Sequence, residues 1–346
     1  MNSQSSPDIA RSPLTVEVTR GPIVESRHQV IAAIADADGR LLRAFGPVDT
    51  PVYLRSAIKP LQALPLIETG AADAFNVTEK ELSLACASHT GEPIHVEAVT
   101  EWLNRLGLGI EALECGSHWP SYDVAARALA ARGETPTAAH NNCSGKHTGF
   151  LCTARHMKEP LKGYIGLDHP VQQRIVRVLE DFTGLDLAKA PVGTDGCSIP
   201  TIAIPLDRAA TAIARFADPS KLPTERAAAC HRLQKAIAAY PEMIAGSERL
   251  CTALNRAAKG RVIAKVGAEA VYLAALPEAG IGIALKALDG TTRAAEVALG
   301  ALLDEFGALD ADMHNAIDRF VQPELRNRNN MRVGELHAVL PPRTES

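Results

Sequence analysis

The chain reads as an α+β protein: an antiparallel sheet built from strands near both ends of the sequence, with flanking helices and an inserted helical lobe. Three observations lead there. From Thr15 to Phe45, β-rich runs alternate with turn signals; from Ser56 to about Ala258, most segments carry helical spacing and caps; after Gly260, strand texture returns.

At the start, LTVEVTRG, HQVIAAIADADG and RLLRAFG read as successive strands, and Asp38-Gly39 is a hairpin signal. In the middle, Thr78 followed by Glu81 makes a capping box ahead of LSLACA. EPIHVEAVTEWLNRLG places apolar residues every three or four positions before a terminating Gly107. The same spacing predicts helices over 121–132, 146–157, 170–183, 224–239 and 244–258. RVIAKVGAEAVYLAAL and GIGIALKALDG then read as strands, followed by a helix over 291–306 and a short strand at ELHAVL. The polar opening MNSQSSPDIARSPL lacks the apolar core of a secretory signal, so 1–14 reads as a disordered tail. One domain is expected over 15–346, with a sheet lobe near 15–55 plus 260–346 and a helical lobe near 56–259.

Composition narrows the function classes. With 46% hydrophobic and 22% charged residues, the chain has the make-up of a soluble globular protein. A net charge of −4 and the lack of any Lys/Arg run argue against a nucleic-acid partner. No apolar run approaches the roughly 20 residues of a membrane span. Seven scattered cysteines do not form a disulfide framework for a chain this long, which points to a reducing, cytoplasmic setting.

Four stretches could carry chemistry. In YLRSAIKP, Ser56 and Lys59 lie three residues apart, on one helical face, so the amine can reach the hydroxyl. Pro60 is best tolerated in a first turn, which puts the helix start near Ser56. A serine hydroxyl is a weak nucleophile until a base takes its proton, and a lysine with a lowered pKa can do so. The spacing alone fits a capped helix with a solvated lysine better than a catalytic pair, because chance gives such a pair about once in a chain of this composition. Chain order adds to it. Ser88 ends the apolar run of LACASHTGEP, and Lys265 interrupts an apolar strand in VIAKVGAEAVY, one residue before a glycine. S-x-x-K, a second serine and K-x-G follow one another as in serine β-lactamases and penicillin-binding proteins, although S-D-N and K-T-G are absent. HNNCSGKHTGF at 140–150 and VGTDGCSIP at 192–200 bring thiols, amides, Lys146 and Asp195 into glycine-bearing turns. Neither has zinc-finger spacing, and on sequence alone buried thiols acting as small hydrophobes account for both better than a metal does.

Taken together and in this order, RSAIKP, CASHTGEP, NNCSGKHTGF, TDGCSIP and KVGAEAVY resemble the Rhizobium etli-type L-asparaginases, the bacterial L-asparaginase II family, from about Val16 to the last strand. The resemblance implies a fold similar to serine β-lactamases and glutaminases. It implies two Ser-Lys pairs, Ser56 with Lys59 and Ser88 with Lys265, and a zinc site of Cys143, Lys146 and Cys197 with Asp195 close by. The metal would tune substrate affinity rather than supply the attacking water. Where the family pattern has glycine after the second cysteine, this chain has Ser198. The expected reaction is acyl transfer: a serine, Ser56 by preference with Lys59 as base, attacks the side-chain amide of L-asparagine, and water hydrolyses the β-aspartyl ester. Arg55, His89, His147 and Asp195 are candidate holders of the substrate's charged groups, since a small zwitterion needs both signs. A homodimer is also implied. The alternatives are a glutaminase or other serine acyl-transfer hydrolase of this fold, and a non-catalytic zinc or amino-acid binding protein.

Overall fold

The computed structural model describes residues 8–10 and 12–342. The expected tail lies outside the described residues over 1–7 and at 11; Asp8–Ala10, which that expectation also took in, is instead a short strand parallel to Leu41–Phe45. The chain forms two compact units. One holds residues up to Ala57, Ile204–Asp218 and Val266 onward; the other holds Ile58–Ala203 and Pro219–Lys265. The sheet lobe therefore also claims a piece of the middle that the strand texture at the ends does not announce.

In the first unit the sheet runs, by spatial neighbour, through Glu324–Arg326, Arg332–Val339, Leu14–Arg20, Ile23–Asp36, Ile281–Ala287 and Val271–Leu276, each step antiparallel. The Asp38-Gly39 signal is a tight turn: the Gly39 N–H donates to Asp36 O at 3.0 Å, Gly39 takes φ +85°, and the Asp36 carboxylate accepts from the Asp38 and Arg40 amides. Val30 to Ala35 are at most 1% exposed, a continuous burial that requires cover on both faces of the strand. The helix Leu206–Ala217 packs directly on it. A Cβ at Gly282 would meet Ala210 O at 2.2 Å, so glycine lets helix and strand approach. A second helix, Thr292–Glu305, agrees with the expected 291–306 and carries the helix Ala311–Val321, which touches Gly300 where a Cβ would meet Val321 at 2.5 Å.

The second unit is helical. Glu79–Ala85 begins with the expected capping box, Thr78 Oγ1 accepting from the Glu81 amide and the Glu81 carboxylate accepting from the Thr78 amide. Pro93–Arg105, Asp123–Ala131, Ser144–His156, Pro170–Thr183 and Thr224–Ala239 follow the predicted spacing. The predicted 244–258 helix is instead broken into Pro241–Ala245 and Leu250–Ala258, because Gly246 turns the chain at φ +94°. Ser144–His156 is buried on every side from Ser144 to Ala154, which makes it the central helix of this unit. A Cβ at Gly145 would meet Leu84 O at 2.4 Å, so this helix crosses Glu79–Ala85 almost backbone to backbone and fixes the segment that leads to Ser88.

Candidate active site

Ser88 lies three residues past the helix Glu79–Ala85, its backbone N–H held by Ile244 O at 2.9 Å. Its hydroxyl is met by two lysines. Lys265 Nζ, on the strand Ile263–Gly267, is 2.9 Å from Ser88 Oγ, and Lys59 Nζ, at the head of the helix Lys59–Gln62, is 3.1 Å away. Both amines are buried, at 1% and 0% exposure, and Ser88 is 8% exposed. Burial pulls the Lys265 pKa down to about 7, and the Lys59 charge adds to the shift. A lysine near 7 spends a large share of its time as a free amine at neutral pH, which is what proton abstraction from a serine requires. Lys59 also donates to Ala87 O, tying the amine to the backbone beside Ser88.

A second cluster adjoins the first. Lys59 Nζ is 3.0 Å from Cys143 Sγ, and Lys146 Nζ is 3.0 Å from Cys197 Sγ. A hydrogen bond from Cys197 holds the Cys143 thiol well below its usual range against the cost of burial, with the Lys146 and Lys59 charges helping. The same bond and burial push Cys197 up. Burial works against the Lys146 charge, but the two sulfurs beside it hold its pKa above the usual lysine value. The local chain makes this arrangement: Asn141 Oδ1 accepts from the Cys143 amide at 2.8 Å and Asn141 Nδ2 donates to Cys115 O at 2.8 Å. Cys143 occupies the position just ahead of the central helix, so Lys146, three residues on, lies on the same face. Cys197 sits in the turn between the paired strands Val192–Thr194 and Pro200–Pro205, where Ser198 takes φ +74°, the left-handed conformation that favours glycine. No cluster of three His, Cys, Asp or Glu side chains suited to a metal occurs among the described residues. The set that converges here is two sulfurs and an amine, and this chemistry fits a thiolate-loving divalent ion such as zinc once the amine is neutral.

The family model described as L-asparaginase II matches residues 16–338 of the chain. The chain belongs to the L-asparaginase II family. It is a hydrolase of the asparaginase type. No curated protein matches it, and no helix among the described residues is long and apolar enough to cross a membrane.

Within this asparaginase, the sequence-derived residues sort by surroundings. Lys59, Ser88 and Lys265 come together, as do Cys143, Lys146 and Cys197. Lys59, expected beside Ser56, hydrogen-bonds to Ser88 as Lys265 does. Arg55 and Ser56 fall in the sheet unit, at the start of a short 3₁₀ helix, Arg55–Ile58, that continues into Lys59–Gln62 and matches the helix start read from Pro60. The glycine of K-x-G serves the same place: a Cβ at Gly267 would meet Leu54 O at 2.5 Å and Ala57 N at 3.0 Å, so only glycine lets the strand pass beside the Ser56 turn. Both ring nitrogens of His89 serve the scaffold, Nε2–H donating to Ser144 Oγ at 2.9 Å and Nδ1 accepting from the Gly91 amide at 3.1 Å. His89 therefore organises the loop after Ser88. His147 accepts the Tyr164 hydroxyl at Nδ1, 2.8 Å, while its buried Nε2 has no partner among the described residues; burial and nearby lysines keep the ring neutral. Asp195 is half-buried, and its charge acts on Lys146 and Cys197. Sequence reasoning missed Asn141, Ser144, Tyr164 and Glu92. For Asn141 a signal existed, since asparagine two residues before a helix-capping position commonly accepts from the backbone there.

Proposed function

We propose that the chain hydrolyses L-asparagine to L-aspartate and ammonia through an acyl-enzyme on Ser88. The observation that carries this reading is the Ser88 hydroxyl set between Lys265 at 2.9 Å and Lys59 at 3.1 Å, with Lys265 brought down to about 7. The neutral Lys265 amine takes the Ser88 proton as Oγ attacks the side-chain carboxamide carbon. The C–N bond breaks, and the departing amine leaves as ammonia with the proton returned by Lys265. Water, activated by the same amine, then cleaves the β-aspartyl ester and restores the serine. Lys59 steadies the oxygen through its hydrogen bond, and its charge keeps Lys265 a weak enough base to cycle between its two forms. Asp195 supplies the negative charge that the substrate's α-amino group calls for, and His147 Nε2–H is a neutral donor with no acceptor among the described residues. Zinc held by Cys143, Lys146 and Cys197 would lend positive charge and rigidity to the neighbourhood and so tune substrate affinity.

A second reading puts the acyl group on Ser56 with Lys59 as its base. It is favoured by Ser56 being more open to solvent than Ser88 and by its place three residues ahead of Lys59. Purified enzyme mixed with asparagine should release ammonia faster than with glutamine, whereas preferred turnover of glutamine, or opening of a penicillin's ring, would favour another serine acyl-transfer hydrolase. Ser88→Ala should abolish that release, and retained activity in this variant would hand the nucleophile's role to Ser56. Absence of ammonia from the unaltered protein would leave a zinc or amino-acid binding protein. A cytoplasmic homodimer completes the proposal, with molar mass in solution as its check.

A further inference from the structure

The motif CASHTGEP contains an acid, Glu92, to which the acyl-transfer reading gives no role. It occupies the cap position of the helix Pro93–Arg105 yet makes no side-chain bond to that helix. Its carboxylate turns instead to a loop far along the chain: Oε1 accepts from Thr90 Oγ1 at 2.6 Å and from the Ser247 amide at 2.7 Å, and Oε2 accepts from Ser247 Oγ at 2.8 Å. The loop is shaped to meet it. Gly246 takes φ +94°, and a Cβ there would lie 2.0 Å from Thr90 Oγ1 and 2.5 Å from Glu92 Oε1, so the Thr90 and Glu92 side chains lie against the Gly246 backbone with no room for a side chain there. Further bonds join the same two segments. The Ser88 amide donates to Ile244 O at 2.9 Å, and His95, stacked on His89 with ring centroids 4.7 Å apart, pairs through Nε2 with Glu242 O at 3.1 Å.

We infer that Glu92 is a positioning residue: its carboxylate clasps Ser247 and thereby holds the Ser88 segment against the 240–247 stretch, fixing the serine between its two lysines. This rests on the acyl-transfer reading for its consequence in rate, though not for the clasp itself. Oxygen-to-nitrogen distances of 2.9 and 3.1 Å leave little tolerance, and displacements on the order of 1 Å cost about 100-fold in rate.

The test compares Glu92→Ala, Glu92→Gln, Ser247→Ala and the Glu92→Ala/Ser247→Ala double variant with the unaltered chain. Hydrogen exchange followed by peptide mass should show faster exchange over residues 86–92 in Glu92→Ala. Its kcat for asparagine should fall by about 10- to 100-fold with KM changed less than about threefold. Glu92→Gln, which keeps the acceptor oxygen, should recover most of the rate, and the double variant should be no slower than Glu92→Ala because both changes break one clasp. Unchanged exchange in Glu92→Ala overturns the clasp. A kcat equal to that of the unaltered chain, or losses that multiply in the double variant, overturn its role in placing Ser88. If Glu92→Ala does not fold, Ser247→Ala alone decides by the same two readouts. Failure of the unaltered chain to release ammonia rejects the acyl-transfer reading instead, and leaves the exchange result to judge the clasp.

Discussion

Replacing Lys265 by methionine should abolish activity and yet stabilise the protein at neutral pH. The lysine is fully enclosed, and its pKa lies at about 7 instead of the ordinary 10.5. At about 1.36 kcal/mol per pH unit, that depression corresponds to about 5 kcal/mol of folding free energy in full. The sign follows from proton counting. Between pH 7 and 10.5 the unfolded chain binds a proton at this residue that the folded chain has lost, so stability rises with pH through that window and the penalty is complete below it. At pH 7, where the folded lysine is half-titrated, about 4 kcal/mol remains. Methionine lacks the amine but fills most of the space, and the lost hydrogen bond to Ser88 returns about 1 kcal/mol of the difference. Urea unfolding should therefore find Lys265→Met more stable by about 3 kcal/mol at pH 7, with the gap closing or reversing by about pH 10. A variant equally or less stable at pH 7, with no change in the gap as pH rises, would refute the reasoning that burial makes Lys265 a neutral base.

Other outcomes follow from the same geometry. In the unaltered enzyme, kcat/KM should rise with pH through about 7 as Lys265 loses its proton, and a flat profile between about pH 6 and 8 would remove it as the base. Gly145→Ala should lower stability by at least about 2 kcal/mol and reduce activity with it, since its Cβ would strike Leu84 O; thermal unfolding checks this. Cys197→Ser should lower zinc content measured by atomic absorption after dialysis and raise KM for asparagine more than it lowers kcat, and a chelator should do the same to the unaltered enzyme.

Local signals in the sequence carried much of this architecture. Thr78 and Glu81 announce a helix start by chemistry that acts within four residues, and Pro170–Thr183 carries an unbroken apolar stripe between its proline and Gly184. The helix Leu206–Ala217 is not announced in the sequence because it follows the strand Pro200–Pro205 directly, with no loop or capping side chain to mark its start. Gly246 sits inside a helical pattern, and only the contact with Thr90 and Glu92 shows that it breaks the helix. At the site, spacing could say that Lys59 reaches Ser56. It could not say that Lys59 reaches Ser88 and Cys143, because those contacts depend on how three separate segments pack. The pKa of Lys265 was hidden for the same reason: the apolar strand around it hints at burial, but the neighbouring charge comes from a residue more than two hundred positions away.

The central claim is that Ser88 carries the acyl group. Mixing enzyme with asparagine, quenching in acid within the first turnovers and mapping peptides by mass would test it most directly. The account predicts a β-aspartyl increment on the peptide holding Ser88, absent in Ser88→Ala. The same increment on the peptide holding Ser56, with Ser88 unmodified, would contradict it.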